Sequence, residues 1–371
     1  MSTHHDEIDT VYICDWLPPD FGAVGQYADI FSRQRAEAGE RVVLIGLTSG
    51  HARTERETIG QGHLTTVWIA AKPFDKNRMG QRLWWTAKAN TRLTWTAWHH
   101  IRRANTVLFT GSPPLFLHWM GPAKWLHGRR VIYSISDFHP ECAMAGQPRP
   151  SFALRALLAV TRFWRRRVDE FEVLGFDQKK RLVDDGIDAA RIRVKPFNSP
   201  VTITAETQPL QRPAGFEDKA LLLYSGNWGV AHDTQTFLAA YRKHHRQGSG
   251  RTVLWLNAVG SGGQTVADYL TAEELPFVRG EPVPIDQLAA LLITPDAHLI
   301  TLSDAFVGYV LPSKIYGCIA SGKPILYIGS AASDVHALSQ ADASDRTTRC
   351  DVGDADAVAQ ALEALADRPR Q

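Results

Sequence analysis

Short runs of β-branched and apolar residues recur along the first half of the chain, at Val11–Cys14, Arg41–Leu47, Leu64–Ala70, Thr106–Thr110, Arg130–Ile135, Phe171–Leu174 and Arg193–Pro196. Between several of them lie longer stretches whose apolar positions return every three or four residues, at Gln26–Ala38, Gln81–Arg103, Leu115–Leu126 and Ser151–Val168. The short runs predict strands and the longer periodic stretches predict helices. Strands alternating with helices predict a parallel, doubly wound α/β sheet. From Phe197 to Lys219 three prolines interrupt the rhythm without a core pattern, which predicts a linker over 199–218 between domains 1–198 and 219–371.

The rhythm then resumes. Strands are expected at Ala220–Ser225, Thr252–Asn257, Pro276–Val278, Ala297–Leu302 and Pro324–Ile328, with helices at Thr234–His245, Ile285–Leu292 and Ser313–Ser321. A second sheet of the same type follows. The stretch Asp354–Asp367 starts acidic and carries apolar residues at helical spacing, so it predicts an amphipathic helix.

Composition narrows the classes. A chain of 371 residues suits two domains. Its balance of 41 Lys+Arg against 39 Asp+Glu gives no global field for nucleic acid. Cys14, Cys142, Cys318 and Cys350 form no C-x-x-C pair, which argues for reduced, cytoplasmic cysteines rather than a disulfide framework or structural zinc. The first residues, MSTHHDEIDT, lack the pattern of a signal peptide, and the nearly apolar run Phe152–Val160 is far too short to span a bilayer.

In open α/β sheets, ligands collect where strand ends lead into helix N-termini. Four such turns carry chemistry. In CDWLPPDFGAVGQYA, Gly22 and Gly25 let the backbone approach a ligand or simply turn, without the G-x-G start of a dinucleotide site. YSGNWGVAHDTQTF offers Gly226, Asn227 and Gly229, with Asp233 as a helix N-cap. NAVGSGG, which contains Gly260, is a third flexible turn. In VLPSKIYGCIASGKPILYIG, Pro312 suits a first helical turn, Ser313 can cap, and Lys314 sets a cation beside free backbone donors, a combination suited to a diphosphate. A lysine there opposes the helix dipole, so its placement points to an anion; plain solvation is the alternative. Gly317 and Gly322 each cost about 1 kcal/mol, which close approach of a ligand or tight packing would explain.

These segments, together with TGSPP at Thr110–Pro114 and DFHPE at Asp137–Glu141, run in order over nearly the whole chain and resemble the glycosyltransferases of family 4. The branch most resembled serves bacterial exopolysaccharide, colanic acid and O-antigen synthesis. The resemblance implies the GT-B fold, with two Rossmann-like domains facing a cleft, the first binding an acceptor and the second a nucleotide-sugar donor of UDP or GDP type. It places Gly22 and Gly25 near the donor phosphates and Asn227, Ser313 and Lys314 on the diphosphate. Gly226, Gly260, Arg279, Tyr316 and Gly317 also fall on the donor side. Lys314 would neutralise the departing nucleoside diphosphate, and no metal or other cofactor is implied. His139 would contact the transferred sugar in a retaining enzyme; in an inverting one, Asp137 or Glu141 would be the base. The family often carries two glutamates at the positions of Tyr309 and Gly317, so ribose contact here must come from elsewhere, such as Asp334 or backbone. Two alternatives stay open: a nucleotide-sugar epimerase and a non-catalytic nucleotide-sugar-binding subunit.

One helix carries a separate signal. From Lys76 to Arg103 there are seven Lys/Arg, four tryptophans and no acid. At helical spacing Trp84, Lys88, Arg92, Trp95, Trp98 and Arg102 share one side, and Leu83, Ala87 and Ile101 fall on another that is expected to pack. The first side suits a lipid-linked acceptor or anionic headgroups at the inner face of the cell membrane, with FWRRR at Phe163–Arg167 as a second basic-aromatic cluster; packed tryptophans beside solvated arginines are the alternative.

Overall fold

The structure is a computed structural model and describes residues 7–20, 23–72, 79–196, 199, 201–343 and 345–368. The chain divides into two compact units, Met1–Pro196 and Phe197–Gln371.

The first unit opens with β1 (Ile8–Trp16), α1 (Ala23–Glu37), β2 (Arg41–Thr48), β3 (Arg53–Ile59), β4 (Gly62–Ala70) and α2 (Met79–Ile101). It continues with β5 (Ala104–Thr110), α3 (Leu117–His127), β6 (Arg130–Ile135), α4 (Glu141–Met144) and α5 (Phe152–Arg165). β7 (Glu170–Val173), α6 (Phe176–Asp184) and β8 (Ile192–Val194) complete it. The sheet order is β3-β4-β2-β1-β5-β6-β7-β8. β1 lies between β2 and β5, with Val11 opposite Val43 on one side and Val107 on the other. Val11, Ile13 and Cys14 are fully buried, as a central parallel strand covered on both faces requires.

β3 is antiparallel to β4 and its sequence, RTERETI, has no apolar stripe. It is held instead by a two-pronged Arg33–Glu57 pair from α1 and by the Arg53 guanidinium 3.9 Å from the Trp68 ring centroid. A charged edge strand of this kind resists pairing with other chains. The expected packing side of α2 is corrected. Leu83 and Ala87 are exposed, while Thr86, Ala89, Asn90, Leu93, Ala97 and Ile101 are buried. The buried stripe follows the i, i+3, i+4 ridge through these small and branched residues, which lets α2 lie close to the sheet.

The second unit repeats the plan. β9 (Ala220–Asn227), α7 (Gln235–Gln247), β10 (Thr252–Val259), α8 (Ser261–Ala272), β11 (Phe277–Arg279) and α9 (Ile285–Ile293) come first. β12 (Ala297–Thr301), α10 (Lys314–Ala320), β13 (Ile325–Ile328), α11 (Asp334–Ala343), β14 (Thr347–Cys350) and α12 (Ala355–Ala366) follow. Its sheet, β11-β10-β9-β12-β13-β14, reverses direction of growth between β9 and β12. The turn NAVGSGG is divided between the end of β10 and the first turn of α8, so it is less a loop than its glycines suggest.

Part of the expected linker belongs to this unit. Leu210 and Phe216 pack on a core of Leu221, Leu223, Val253, Trp255 and Leu291. Arg212 grips both oxygens of Asp296, at 3.3 and 2.8 Å, and Leu221 N–H donates to the same carboxylate. An Arg–carboxylate fork and a few apolar anchors fix a segment that has no repeating core pattern.

Candidate functional site

The crevice of an open α/β sheet lies at the carboxyl ends of its strands, where strand order reverses. In the second unit that point is the end of β9 beside β12. Gly226 has φ 108°, a conformation that favours glycine, and brings β9 out into its loop. Trp228 then turns inward, fully buried, and stacks on Tyr224 with centroids 3.8 Å apart. The loop is tied to both neighbouring strands. Trp228 N–H donates to Val259 O and Gly262 N–H to Trp228 O, while Ser303 N–H donates to Ala231 O.

The glycines of the next loop are required by this closeness. A Cβ at Gly260, whose φ is 91°, would stand 2.3 Å from Asn227 Oδ1, and one at Gly262 would stand 2.5 Å from Trp228 O. Asn227, Gly226 and Gly260 therefore meet at one corner of the strand edge.

Lys314 reaches the same corner from the start of α10. Its Nζ lies 3.2 Å from the Tyr224 ring centroid, and its Cε would be 4.0 Å from a Cβ at Gly226. The residue as a whole is half-buried, but Nζ itself is shut off from solvent and has no hydrogen-bond partner. Burial pulls the amine from 10.5 down to about 7, with Cys318 opposing weakly. The Tyr224 ring face offers the charged form some compensation. His232 joins the cluster: it stands edge-on to Tyr224, and Nδ1–H donates to Thr301 O at 2.6 Å. Burial, then Lys314, push its pKa to about 3, so this imidazole is neutral with Nε2 as the acceptor nitrogen. Asp233 caps α7 by accepting from Thr236 N–H at 3.1 Å, as expected.

Other donor-side expectations fall differently. Ser313 is exposed and makes no capping hydrogen bond, because its helical φ/ψ do not suit a capping side chain. A Cβ at Gly317 would meet Leu292 Cδ1 at 3.0 Å, so packing of α10 against α9 explains that glycine without a ligand. Tyr316 is half-buried on the same helix, and Arg279 is exposed at the end of β11, donating to Gln264 Oε1 at 3.1 Å.

In the first unit the corresponding reversal lies between β1 and β5. Gly22 lies outside the described residues. Gly25 sits in the first turn of α1, where a Cβ would fall 1.7 Å from Trp16 O, so helix-to-strand packing demands a glycine there. Asp15, at the end of β1, has its carboxyl pushed up by burial, with the Ser112 hydroxyl working against the shift. After β6, Asp137 is exposed, although the protein around it pushes its carboxyl up and His139 opposes that shift. His139 is half-buried, and Glu141 is buried.

Glu141 is removed as a base. Both its oxygens are taken by Arg165, itself 1% exposed, which also donates to His139 O at 3.3 Å and sits over the Phe138 ring. A buried carboxylate so paired holds the loop rather than abstracting a proton. On α2, Trp98 is likewise not free: it packs edge-on against His127, with centroids 4.4 Å apart. Trp84 and Trp95 are exposed, Lys88 lies over the Trp84 ring, Arg92 donates to Ala70 O, and Arg102 is exposed. Asp15 and His232 are residues the sequence reading passed over, and Arg165, expected in the basic-aromatic cluster FWRRR, is instead buried on Glu141. His232 stood inside a turn already singled out, whereas the partners of Arg165 are 24 and 26 positions away and leave no local signal.

Among the described residues no group of three or more His, Cys, Asp or Glu is placed to hold a metal ion, and no helix is long and apolar enough to cross a membrane.

Two doubly wound units of this kind, with the reversal point of each sheet lined by loops, form the GT-B fold of glycosyltransferases. The chain covers 97% of its length on Anabaena Alr3699/HepE in complex with UDP and glucose, with TM-score 0.64, 11% identity and 90% of that chain covered. It matches sucrose-phosphate synthase of Thermosynechococcus elongatus over 97% of its own length and 90% of that chain, with TM-score 0.67 and 14% identity. Against an alpha,alpha-trehalose-phosphate synthase (UDP-forming) of Burkholderia vietnamiensis the TM-score is 0.60 at 11% identity, covering 98% of this chain and 92% of that one. By sequence the chain is 22% identical over 226 residues to WcaI of Escherichia coli (strain K12), a protein named for glycosyl transfer in colanic acid biosynthesis. That match covers 57% of this chain and about half, 54%, of the relative. No protein-family model matches the chain.

Proposed function

We propose that this protein is a glycosyltransferase that moves a sugar, with retention, from a nucleoside diphosphate to a saccharide or lipid-linked acceptor in bacterial surface-polysaccharide synthesis. The observation that carries the reading is the Lys314 amine, buried without a hydrogen-bond partner at the carboxyl end of β9 beside Gly226 and Asn227. A diphosphate there would supply the missing acceptor oxygens and return the amine to its charged form. As the sugar–phosphate bond breaks, negative charge grows on the leaving diphosphate, and Lys314 stabilises it in place of a metal ion. In the first unit, His139 is assigned to the transferred sugar and exposed Asp137 to a sugar hydroxyl. UDP is the first donor to test, since two of the structural relatives are named with it.

Calorimetry with UDP and GDP, followed by turnover of their sugar conjugates with and without saccharide acceptors, tests the proposal. Donor-dependent transfer that collapses in Lys314→Ala is the expected result. Release of an isomerised sugar without acceptor points to an epimerase, and binding without product across an acceptor panel points to a non-catalytic subunit.

A further inference from the structure

α5 is inside out. Its buried positions are Thr161 and Arg165, while Phe152, Val160 and Phe163 face outward. A helix in a soluble layer ordinarily does the reverse. The buried side is committed to polar contacts: Arg165 with Glu141 and Asp185, and Thr161 with His118 Nε2 at 3.1 Å.

The neighbouring helices extend the same surface. α3 lies between α2 and α5, with Trp119 Nε1 donating to Thr91 Oγ1 on one flank and Gly121 against the Trp164 ring on the other. Across this layer Trp84 is 67% exposed, Trp95 83%, Trp125 78% and Phe152 79%. Leu83 and Leu126 are exposed beside them. The contact register, 91 beside 119 and 118 beside 161, puts Trp95, Trp125 and Phe163 within about two helical turns of one another along the parallel axes.

Charge on this layer has a single sign. From Lys76 to Ser136 the chain holds ten Lys/Arg and no Asp or Glu, and from Cys142 to Val168 six Arg and again no acid. This stands against a net charge of +2 for the whole chain. Neighbouring elements answer part of it, through Asp169 on Lys124 and Asp185 on Arg162. Lys88, Arg92, Arg155 and Arg167 have no carboxylate partner among the described residues.

We infer that the α2–α3–α5 layer is a seat for an anionic phospholipid bilayer surface. Indole and phenyl rings settle at the headgroup level, aliphatic side chains such as Leu83, Leu126 and Val160 enter the acyl boundary, and the surrounding cations meet lipid phosphates. Nucleic acid fits less well, because it would use the cations and stacking rings but give those aliphatic side chains no place. Lys314 takes no part in this surface, so the bilayer seat and the donor corner can fail independently.

Flotation of the full chain with vesicles tests it, using phosphatidylcholine alone or with one-third phosphatidylglycerol, at low and high salt. Wild type is expected to float with the anionic vesicles at low salt and to be released by high salt. Lys88→Glu/Arg155→Glu is expected to weaken that binding about tenfold or more, since each surface cation alone contributes about fivefold. Separately, Trp95→Ser/Phe152→Ser, which removes two rings from the headgroup level, is expected to weaken it severalfold. Thermal unfolding serves as the control that both variants fold. Equal recovery on neutral vesicles, unchanged binding by the charge-reversal variant, or retention of an RNA oligonucleotide in preference to anionic vesicles would overturn the inference.

Discussion

Lys314→Met keeps the length of the side chain and removes its amine, and it separates stability from ligand binding. In the empty protein burial lowers the amine from 10.5 to about 7. Between those values the unfolded chain holds a proton that the folded protein has released, so stability rises with pH through this window and is flat below and above it. At about 1.4 kcal/mol per pH unit the interval has a ceiling of about 5 kcal/mol. Because the residue is only half-buried, screening and relaxation reduce the working figure to about 1–3 kcal/mol. The methionine variant carries no such slope. Urea unfolding is therefore expected to find it more stable than wild type by about that amount near pH 7, with the gap closing towards about pH 10. Calorimetry should show the opposite for binding: UDP affinity falls about 10- to 100-fold, as for loss of one charge-assisted hydrogen bond. A variant that is less stable near neutrality, or that binds UDP as tightly as wild type, refutes the reasoning.

Arg165→Met leaves the Glu141 carboxylate buried and unpaired, so a loss of about 3–5 kcal/mol is expected in chemical denaturation, much of it restored by adding Glu141→Gln. Gly25→Ala forces a Cβ against Trp16 O, 1.7 Å away in the present backbone, and should cost at least about 1–3 kcal/mol, read as a lowered unfolding midpoint. Gly260→Ala strains a φ of 91° and displaces Asn227; UDP affinity should drop severalfold more than in Gly317→Ala, where the new methyl meets the movable Leu292 side chain. Equal affinities in these two variants would remove Asn227 from the donor corner.

Much of the sheet was legible because buried parallel strands are written as largely apolar runs, such as RVVLIGLT in β2 and AHLIT in β12, where nearly every residue is buried. β3 and β14 were not, since edge strands hold to the sheet by backbone pairing and by charged or polar side chains whose partners lie elsewhere. α6 and α11 were missed as well; both are short, and α6 reads as a run of charges, FDQKKRLVD, with Gln178 and Leu182 as its buried positions. At the site, the turn glycines and Lys314 could be picked out locally. That the amine folds back onto Tyr224 instead of standing among helix N–H groups depends on α10 lying across the end of β9, which no spacing encodes. The pairing of Glu141 with Arg165 is hidden for the same reason, and it changes the role of DFHPE from three reactive side chains to two on a braced loop.

The outward apolar side chains of α5 also bear on how the first unit comes apart. A helix such as α7, with Phe237, Leu238 and Tyr241 buried, exposes much new apolar surface when it leaves, so its opening follows the denaturant steeply. α5 already shows Phe152, Val160 and Phe163 to solvent, keeps its leucines only half-buried, and is held at its most buried point by a guanidinium and two carboxylates. Its detachment would add little fresh surface, making it a small cooperative segment whose amide exchange responds weakly to urea and strongly to ionic strength.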